Sequence, residues 1–215
     1  METILVSNRK GGAGKTTVVV NLAAAANTPL WPVLVIDADP QASATFWYER
    51  RTATTPLLSS ASPEGVAAVL KDAKAARVGT AVIDSPPVLD RSMLNLMRLA
   101  DFILIPTRCG AFDLAAIAGT VQMARESRRP FAVLLNATPP ARLDEEPSIV
   151  TEARQLLDEM GAPVLSRCLT QRAVFSHSII SGEVVSEYAP QSAAAAEIGA
   201  VWKNIKRTLK ATGVR

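Results

Sequence analysis

A glycine-rich segment lies between an apolar run and a helical stretch near the beginning of the chain. The apolar run is Thr3–Ser7, and the segment after it comprises, in order, Arg9, Lys10, Gly11, Gly12, Ala13, Gly14, Lys15, Thr16 and Thr17. Glycines allow the backbone to bend so that successive N–H groups face inward, which forms a cup for phosphate oxygens. The N-terminus of the following helix adds its partial positive charge to this cup. The segment therefore predicts an anion-binding loop at the junction of a strand and a helix.

The alternation of apolar runs and helical stretches continues along the chain. The predicted strands are Thr3–Ser7, Val33–Ile36, Ala81–Ile83, Phe102–Ile105, Phe131–Leu135 and Pro163–Leu165. The predicted helices are Lys15–Ala26, Pro63–Ala76, Ser92–Arg98, Asp113–Ser127, Pro147–Met160 and Gln191–Ala211. Continuous apolar runs are typical of parallel strands buried on both faces. The pattern predicts a doubly wound, mostly parallel α/β sheet with helices on both faces. Thr52–Pro63 is the most loop-like stretch and is too short to divide the chain, so residues 1–215 are expected to form one domain.

Polar side chains follow the loop and two of the predicted strands. Lys15 supplies a full charge for the β- and γ-phosphates, and the Thr16 hydroxyl can ligate Mg²⁺. Asp37 and Asp39 follow one strand and Asp84 follows another, and ligands of such sheets bind at the carboxyl ends of strands. Asp84 is expected to hold Mg²⁺ directly or through water. Asp37 has two interpretations, support of the Mg²⁺ shell or a cap on the next helix.

The loop departs from the usual spacing of phosphate loops. Arg9 stands where the first glycine is expected, and Lys10 adds a second lysine five residues before Lys15. The pattern K-G-G-x-G-K-T-T resembles the deviant Walker A motif of the ParA/MinD superfamily of partition and positioning ATPases. The segments D-x-D-P-Q at 37–41 and D-S-P-P at 84–87 resemble the same superfamily. The resemblance covers nearly the whole chain and implies a P-loop NTPase fold of the deviant Walker A type, with ATP and Mg²⁺ as cofactors.

The resemblance also implies roles for individual residues. Lys10 would reach across a homodimer interface to the partner's nucleotide, offsetting the repulsion between two facing ATP molecules, and Asp39 would help position the attacking water. Asn136 would read the adenine edge, although a turn residue at the end of a strand is an alternative for it. The implied catalytic residues are Lys10, Lys15 and Asp39. The implied nucleotide-binding residues are Lys10, Gly11, Gly12, Ala13, Gly14, Lys15, Thr16, Thr17 and Asn136. The implied metal ligands are Thr16, Asp37 and Asp84.

The excess positive charge lies in the last quarter of the chain. Residues 166–215 hold seven basic and three acidic residues, whereas residues 1–165 hold sixteen basic and seventeen acidic ones. This asymmetry indicates a polyanionic partner at one end of the molecule, with a solvated basic helix as the alternative. Members of the superfamily bind DNA non-specifically through arginines and lysines in this region. The corresponding candidates here are Arg172, Lys203, Lys206, Arg207 and Lys210.

The resemblance predicts a short ParA-type ATPase that dimerises with MgATP, binds DNA and drives plasmid or chromosome partition or positions another cargo. A ParB-like or other cargo-adaptor protein would stimulate hydrolysis. The end of the chain, Lys210–Arg215, carries no cluster of bulky apolar residues, so a membrane anchor is not expected. The predicted location is cytoplasmic, on the nucleoid when ATP is bound. One rival is a metabolic P-loop enzyme similar to dethiobiotin synthetase, and another is a relative of nitrogenase iron protein, for which only Cys109 loosely matches a cluster ligand.

Overall fold

The computed structural model describes residues 1–141, 143 and 145–211. Within these residues one sheet contains strands β1 (Glu2–Val6), β2 (Val33–Asp37), β3 (Leu57–Ser60), β4 (Thr80–Asp84), β5 (Phe102–Thr107) and β6 (Phe131–Leu135). The strand order is β3-β2-β4-β1-β5-β6, and every neighbouring pair is parallel. The chain leaves β1 towards β2 on one side and later adds β5 on the other. The carboxyl end of β1 therefore lies at the point where the strand order reverses, which is where doubly wound sheets bind ligands.

Helices cover both faces of the sheet, as the sequence predicts. They are α1 (Lys15–Ala26), α2 (Ser43–Tyr48), α3 (Val66–Ala75), α4 (Arg91–Leu99), α5 (Ala111–Ser127), α6 (Ser148–Glu159), α7 (Ala173–Ile180), α8 (Val185–Tyr188) and α9 (Ala193–Ala211). Neighbouring residues of a strand point to opposite faces, and accordingly Ile4 packs with α1 and α9 whereas Leu5 packs with α4 and α5. Both residues are fully buried. The two cores hold β1, and with it the start of the glycine loop, in a fixed position.

Two sequence predictions at the sheet are wrong. The stretch Thr52–Pro63, predicted as a loop, contains the edge strand β3, whose one neighbour among the described strands is β2. An edge strand needs few apolar side chains, so its sequence Leu-Leu-Ser-Ser gives a weak signal. Pro163–Leu165, predicted as a strand, forms only an isolated bridge between Val164 and Val133. Both of its backbone hydrogen bonds to β6 involve Val133, so the parallel pairing extends over one residue and the segment is too short to be a strand.

Three short helices, α2, α7 and α8, were not predicted. Helix α8 follows shortly after Gly182. These elements depend on contacts that are distant in sequence. The Trp47 indole N–H donates to the Glu183 carbonyl at 3.0 Å. Gly182 has a φ of +72°, and a Cβ there would lie 2.4 Å from the Arg50 backbone, so only glycine permits this approach.

The described helices include none that is both long enough and apolar enough to cross a bilayer. The sequence prediction that no membrane anchor is present concerns Lys210–Arg215. Of these, residues 212–215 lie outside the described part of the chain.

Candidate functional site

The loop between β1 and α1 adopts a backbone that requires glycine at two positions. Gly12 and Gly14 have φ values of +77° and +85°, a region that L side chains rarely occupy. A Cβ at Gly14 would also lie 2.3 Å from the Asn136 amide nitrogen. Helix α1 begins directly after Gly14, and neither a side-chain cap nor an acidic residue occupies its first turn. The N–H groups at this helix start are therefore available to an anion.

A cavity of about 600 Å³ opens at this loop. It brings together residues that are far apart in sequence: Gly11, Gly12, Gly14, Lys15, Thr16, Thr17, Asp39, Gln41, Ser43, Phe46, Pro87 and Ile179. Lys15 is buried and faces this space from the first turn of α1. Asp39 is half-buried at the cavity wall, where its Oδ1 accepts a hydrogen bond from the Gln41 N–H at 2.9 Å. The cavity thus contains the predicted lysine, hydroxyl and carboxylate in one place.

Thr16 and Asp84 form a hydrogen-bonded pair at the carboxyl end of β4. The Thr16 Oγ1 donates to Asp84 Oδ2 at 2.6 Å. Burial raises the pKa of the Asp84 carboxyl to about 7, and the hydrogen bond from Thr16 acts in the opposite direction. Asp84 Oδ1 is buried and has no hydrogen-bond partner among the described residues.

An unpartnered buried carboxylate oxygen is costly, and a cation would satisfy it. The residues fit Mg²⁺, which prefers oxygen ligands and is commonly held by one or two carboxylates together with phosphates and water. The described residues contain no group of three His, Cys, Asp or Glu side chains that could hold a metal alone. Thr16 and Asp84 would therefore share the ion with a bound phosphate.

The Asp37 carboxylate caps α2. Its Oδ2 accepts hydrogen bonds from the Thr45 N–H and the Thr45 hydroxyl, both at 2.8 Å. Its Oδ1 accepts from the Asp39 N–H at 3.3 Å. Of the two interpretations of Asp37 in the sequence, these contacts favour the helix cap.

Replacing Asp37 with alanine is expected to destabilise the fold. The variant loses three hydrogen bonds to a buried carboxylate, so we expect the free energy of unfolding to fall by about 2–3 kcal/mol. For a chain of this size the melting temperature should fall by about 5–10 °C in thermal denaturation followed by circular dichroism. Thr45→Val keeps the backbone donor and should lose only about 1 kcal/mol. An unchanged melting temperature with a lost response to Mg²⁺ would assign Asp37 to the metal shell instead.

Lys10 lies at the edge of the loop and is held twice. Its backbone N–H donates to Asn8 Oδ1 at 2.9 Å, and Asn8 Nδ2 donates to the Pro106 carbonyl at 2.7 Å. Its Nζ lies 2.8 Å from Asp113 Oδ1 in the first turn of α5. Neither Asn8 nor Asp113 is predicted from the sequence as part of the site. Asn8 could have been found as the polar residue between β1 and the loop, whereas nothing local links Asp113 to the loop.

Asn136 adjoins a second cavity beside the loop. Its Nδ2 donates to the Ala13 carbonyl at 2.8 Å. The cavity, of about 150 Å³, is lined by Gly12, Gly14, Thr17, Arg108, Asn136, Ala137, Leu169, Thr170, Gln171, Arg172, Phe175 and Ser176. Its position next to the phosphate loop suits the base and sugar of a nucleotide. Adenine recognition by Asn136 stays a prediction, with the amide nitrogen already engaged by the loop.

The predicted DNA-binding residues occupy two different places. Arg172 lines the second cavity, where its Nε and Nη2 contact Glu197 Oε1 at 3.3 and 2.8 Å. Lys206 pairs with Glu2 and lies 5.6 Å from the centre of the Trp202 ring. Three exposed cations remain together on α9, namely Lys203, Arg207 and Lys210. We refer to these three residues as the α9 basic face.

Comparisons with known proteins place this site in a family. Residues 4–186 match the CobQ/CobB/MinD/ParA nucleotide binding domain. The chain is 32% identical over 208 residues to the maintenance of carboxysome distribution protein A of Halothiobacillus neapolitanus, covering 91% of each chain. It is 33% identical over 198 residues to the protein of that name from Gloeobacter kilaueensis, covering 90% of this chain and 88% of the relative.

A solved structure agrees with the fold. The ATP complex of a variant of McdA from Cyanothece superposes with a TM-score of 0.73 at 17% identity, covering 98% of this chain and 96% of that one. The family match covers most of the chain. The glycine loop, the buried Lys15 and the hydrogen bond between Thr16 and Asp84 are consistent with a nucleotide-binding domain. The chain belongs to the ParA/MinD family of nucleotide-binding domains.

Proposed function

We propose that this chain is a MgATP-dependent positioning ATPase that dimerises around its nucleotide and binds DNA non-specifically. The observation that carries the proposal is the hydrogen bond from Thr16 to the buried Asp84, whose second carboxylate oxygen has no partner among the described residues. Such a pair is suited to a cation between protein and phosphate. The proposed ligands, ATP and Mg²⁺, would occupy the 600 Å³ cavity and the smaller one beside it.

The residues of the larger cavity suit phosphoryl transfer to water. Bound Mg²⁺ would neutralise charge on the β- and γ-phosphates. The loop N–H groups and Lys15 orient the phosphates, and Thr16 and Asp84 supply oxygen ligands for the ion. Asp39, half-buried at the cavity wall, orients the attacking water. Because this reaction depends mainly on positioning and charge neutralisation, a carboxylate here need not be a strong base.

A second copy of the chain is the proposed cover of the loop face. Lys10 lies at the loop edge with its side chain 36% exposed. Three exposed apolar side chains, Phe46, Phe112 and Ile180, belong to or adjoin the elements around the loop. Two triphosphates facing each other repel strongly, and one lysine from each subunit would offset this repulsion. The apolar side chains would be buried by the same contact.

A large protein assembly is the proposed cargo. Two relatives that align with about nine-tenths of the chain are maintenance of carboxysome distribution proteins. An adaptor protein on the cargo would stimulate hydrolysis and so release the dimer from DNA. Nucleotide-dependent binding to the nucleoid would then give the cargo a surface along which to be distributed.

The α9 basic face provides the test of DNA binding. We expect the wild-type protein to shift DNA in a gel with ATP, and the shift to weaken steeply as salt rises. The variant Lys203→Glu/Arg207→Glu/Lys210→Glu reverses six charges per dimer, so the affinity should fall by at least about 100-fold. The matched control Lys71→Glu/Lys74→Glu/Arg77→Glu reverses the same number of exposed charges at the end of α3 and should stay within about threefold of wild type.

Two results would contradict this assignment. An equal loss of affinity in both triple variants would show that net charge, rather than the α9 basic face, governs the shift. The absence of any shift at low salt with ATP would reject DNA binding and favour a metabolic P-loop enzyme.

A further inference from the structure

A groove between α3 and α4 lies apart from the nucleotide site and from the α9 basic face. It is a cavity of about 500 Å³ on the face of the sheet that these two helices cover. We propose that this groove binds an acidic amphipathic helix of a partner protein, the cargo adaptor. The inference rests on the proposed function, which includes such an adaptor, and it adds the surface on which the adaptor docks.

Apolar side chains line part of the groove. Pro63, Ala67 and Leu99 border the cavity, and Leu99 is 37% exposed at the end of α4. The buried side chains of the two helices, such as Val66 on α3 and Leu96 on α4, pack towards the sheet instead. A partner that covers the exposed apolar lining would remove it from water, which stabilises the complex.

Four exposed cations lie on the helix faces that border the groove. Lys71 and Lys74 follow Ala67 at spacings of four and seven residues, so they share one side of α3. Arg91 lines the cavity, and Arg98 follows it on α4 at a spacing of seven residues. All four are exposed, and none of them forms an ion pair with another described residue. Their charges are therefore available to a partner.

The charge balance of the groove favours an acidic occupant. Among the described residues that line the cavity, Glu64 is the one with an acidic side chain. Asp72 lies five residues after Ala67 and so on a different side of α3. Asp90 caps α4, where its Oδ1 accepts a hydrogen bond from the Met93 N–H at 3.1 Å. The remaining positive charge would be complemented by carboxylates of the partner.

The shape of the groove suits a helix rather than a nucleic acid. Helices α3 and α4 span ten and nine residues, a length of about 15 Å. About three turns of an amphipathic helix would fit along them, with apolar side chains in the groove and acidic ones at its borders. DNA is the poorer fit, because contacts to phosphates do not use an apolar lining.

The groove begins at the edge of the sheet that holds the nucleotide site. Pro87 lines the nucleotide cavity, and α4 begins at Arg91, four residues later. An occupant that contacts Arg91 thus touches the helix that continues the segment after Asp84. This position suits a partner that acts on hydrolysis, as the proposed adaptor does.

A designed peptide tests the groove directly. The probe is a fluorescein-labelled peptide of about 18 residues, with leucines along one helical face and glutamates beside them. Fluorescence anisotropy should show saturable binding to the wild-type protein with a dissociation constant on the order of 10 μM, weakening as salt rises. Lys71→Glu/Lys74→Glu should lower the affinity at least about tenfold. The matched reversal Lys203→Glu/Arg207→Glu on the α9 basic face should leave the affinity within about twofold. The absence of saturable binding to wild type up to about 1 mM would overturn the proposal.

Further comparisons separate the apolar contact from charge attraction. Leu99→Ser should weaken peptide binding about fivefold, whereas Leu156→Ser, at a similarly exposed leucine of α6, should leave it unchanged. A peptide of the same composition in scrambled order lacks the apolar face and should bind at least about fivefold more weakly than the probe. Equal binding of the two peptides would mean that charge alone attracts them, and the groove would not be a docking site.

The peptide assay needs neither nucleotide nor DNA, so its failure is distinguishable from failure of the proposed function. Normal ATP-dependent dimerisation without peptide binding would defeat only the docking groove. A wild-type protein that never dimerises with nucleotide would instead defeat the proposed function. If Lys71→Glu/Lys74→Glu kept peptide binding but lost the DNA shift, these cations would belong to the DNA interface and the proposal would be rejected.

Discussion

Lys15→Ala is expected to weaken ATP binding by at least about 100-fold. The lysine is buried, and its ammonium is the full positive charge within the cavity. Burial raises the pKa of the Asp84 carboxyl, and the charges of Asp37 and Asp39 raise it further, whereas the charge of Lys15 lowers it. Without Lys15 the cavity keeps its acidic residues and loses the charge that balances them. The field at the loop would then oppose a triphosphate instead of attracting it.

Isothermal titration with ATP and Mg²⁺ measures this loss, and the melting temperature without nucleotide shows whether the variant still folds. Lys71→Ala is a suitable control, because it removes an exposed lysine from α3 and should bind ATP as wild type does. A variant that folds and keeps its ATP affinity would refute the assignment of the glycine loop as the phosphate site.

The parts of this site that could be predicted from the sequence are those encoded by neighbouring residues. In the sequence, the apolar run is followed directly by the glycine loop, Lys15 and Thr16. The structure has a strand, a loop and a helix at these positions. The position of Asp84 could be predicted because the carboxyl ends of parallel strands meet at one edge. Its hydrogen bond with Thr16 follows from that arrangement.

Pairings between distant residues could not be predicted, because each partner has an ordinary local role. Asp113 is by sequence only an acidic residue near a helix start, yet it lies beside Lys10. Arg172 fits a basic surface by composition, but Glu197 on α9 binds it beside the second cavity. Helix α2 is too short for a periodic pattern and is fixed by the Asp37 cap and by the contact of Trp47 with Glu183. Such features arise from the packing of the whole chain, which single-sequence patterns do not contain.

Lys10→Ala is expected to separate nucleotide binding from dimerisation. The lysine lies at the loop edge, bound to Asp113 rather than within the cavity, so ATP affinity should change by less than about fivefold. The closed dimer would lack the two charges that offset the repulsion between its triphosphates, so ATP-dependent dimerisation should disappear in analytical ultracentrifugation. Hydrolysis should fall by at least about 100-fold, since a cation supplied in trans to a transferred phosphoryl group contributes at least that much.

Sedimentation of wild type and Lys10→Ala with the same ATP analogue measures the loss of the dimer. Isothermal titration of the variant shows whether it still binds ATP, so that a failure to dimerise is not mistaken for a failure to bind. If Lys10→Ala still dimerised with ATP, the cross-subunit function of this lysine would be rejected.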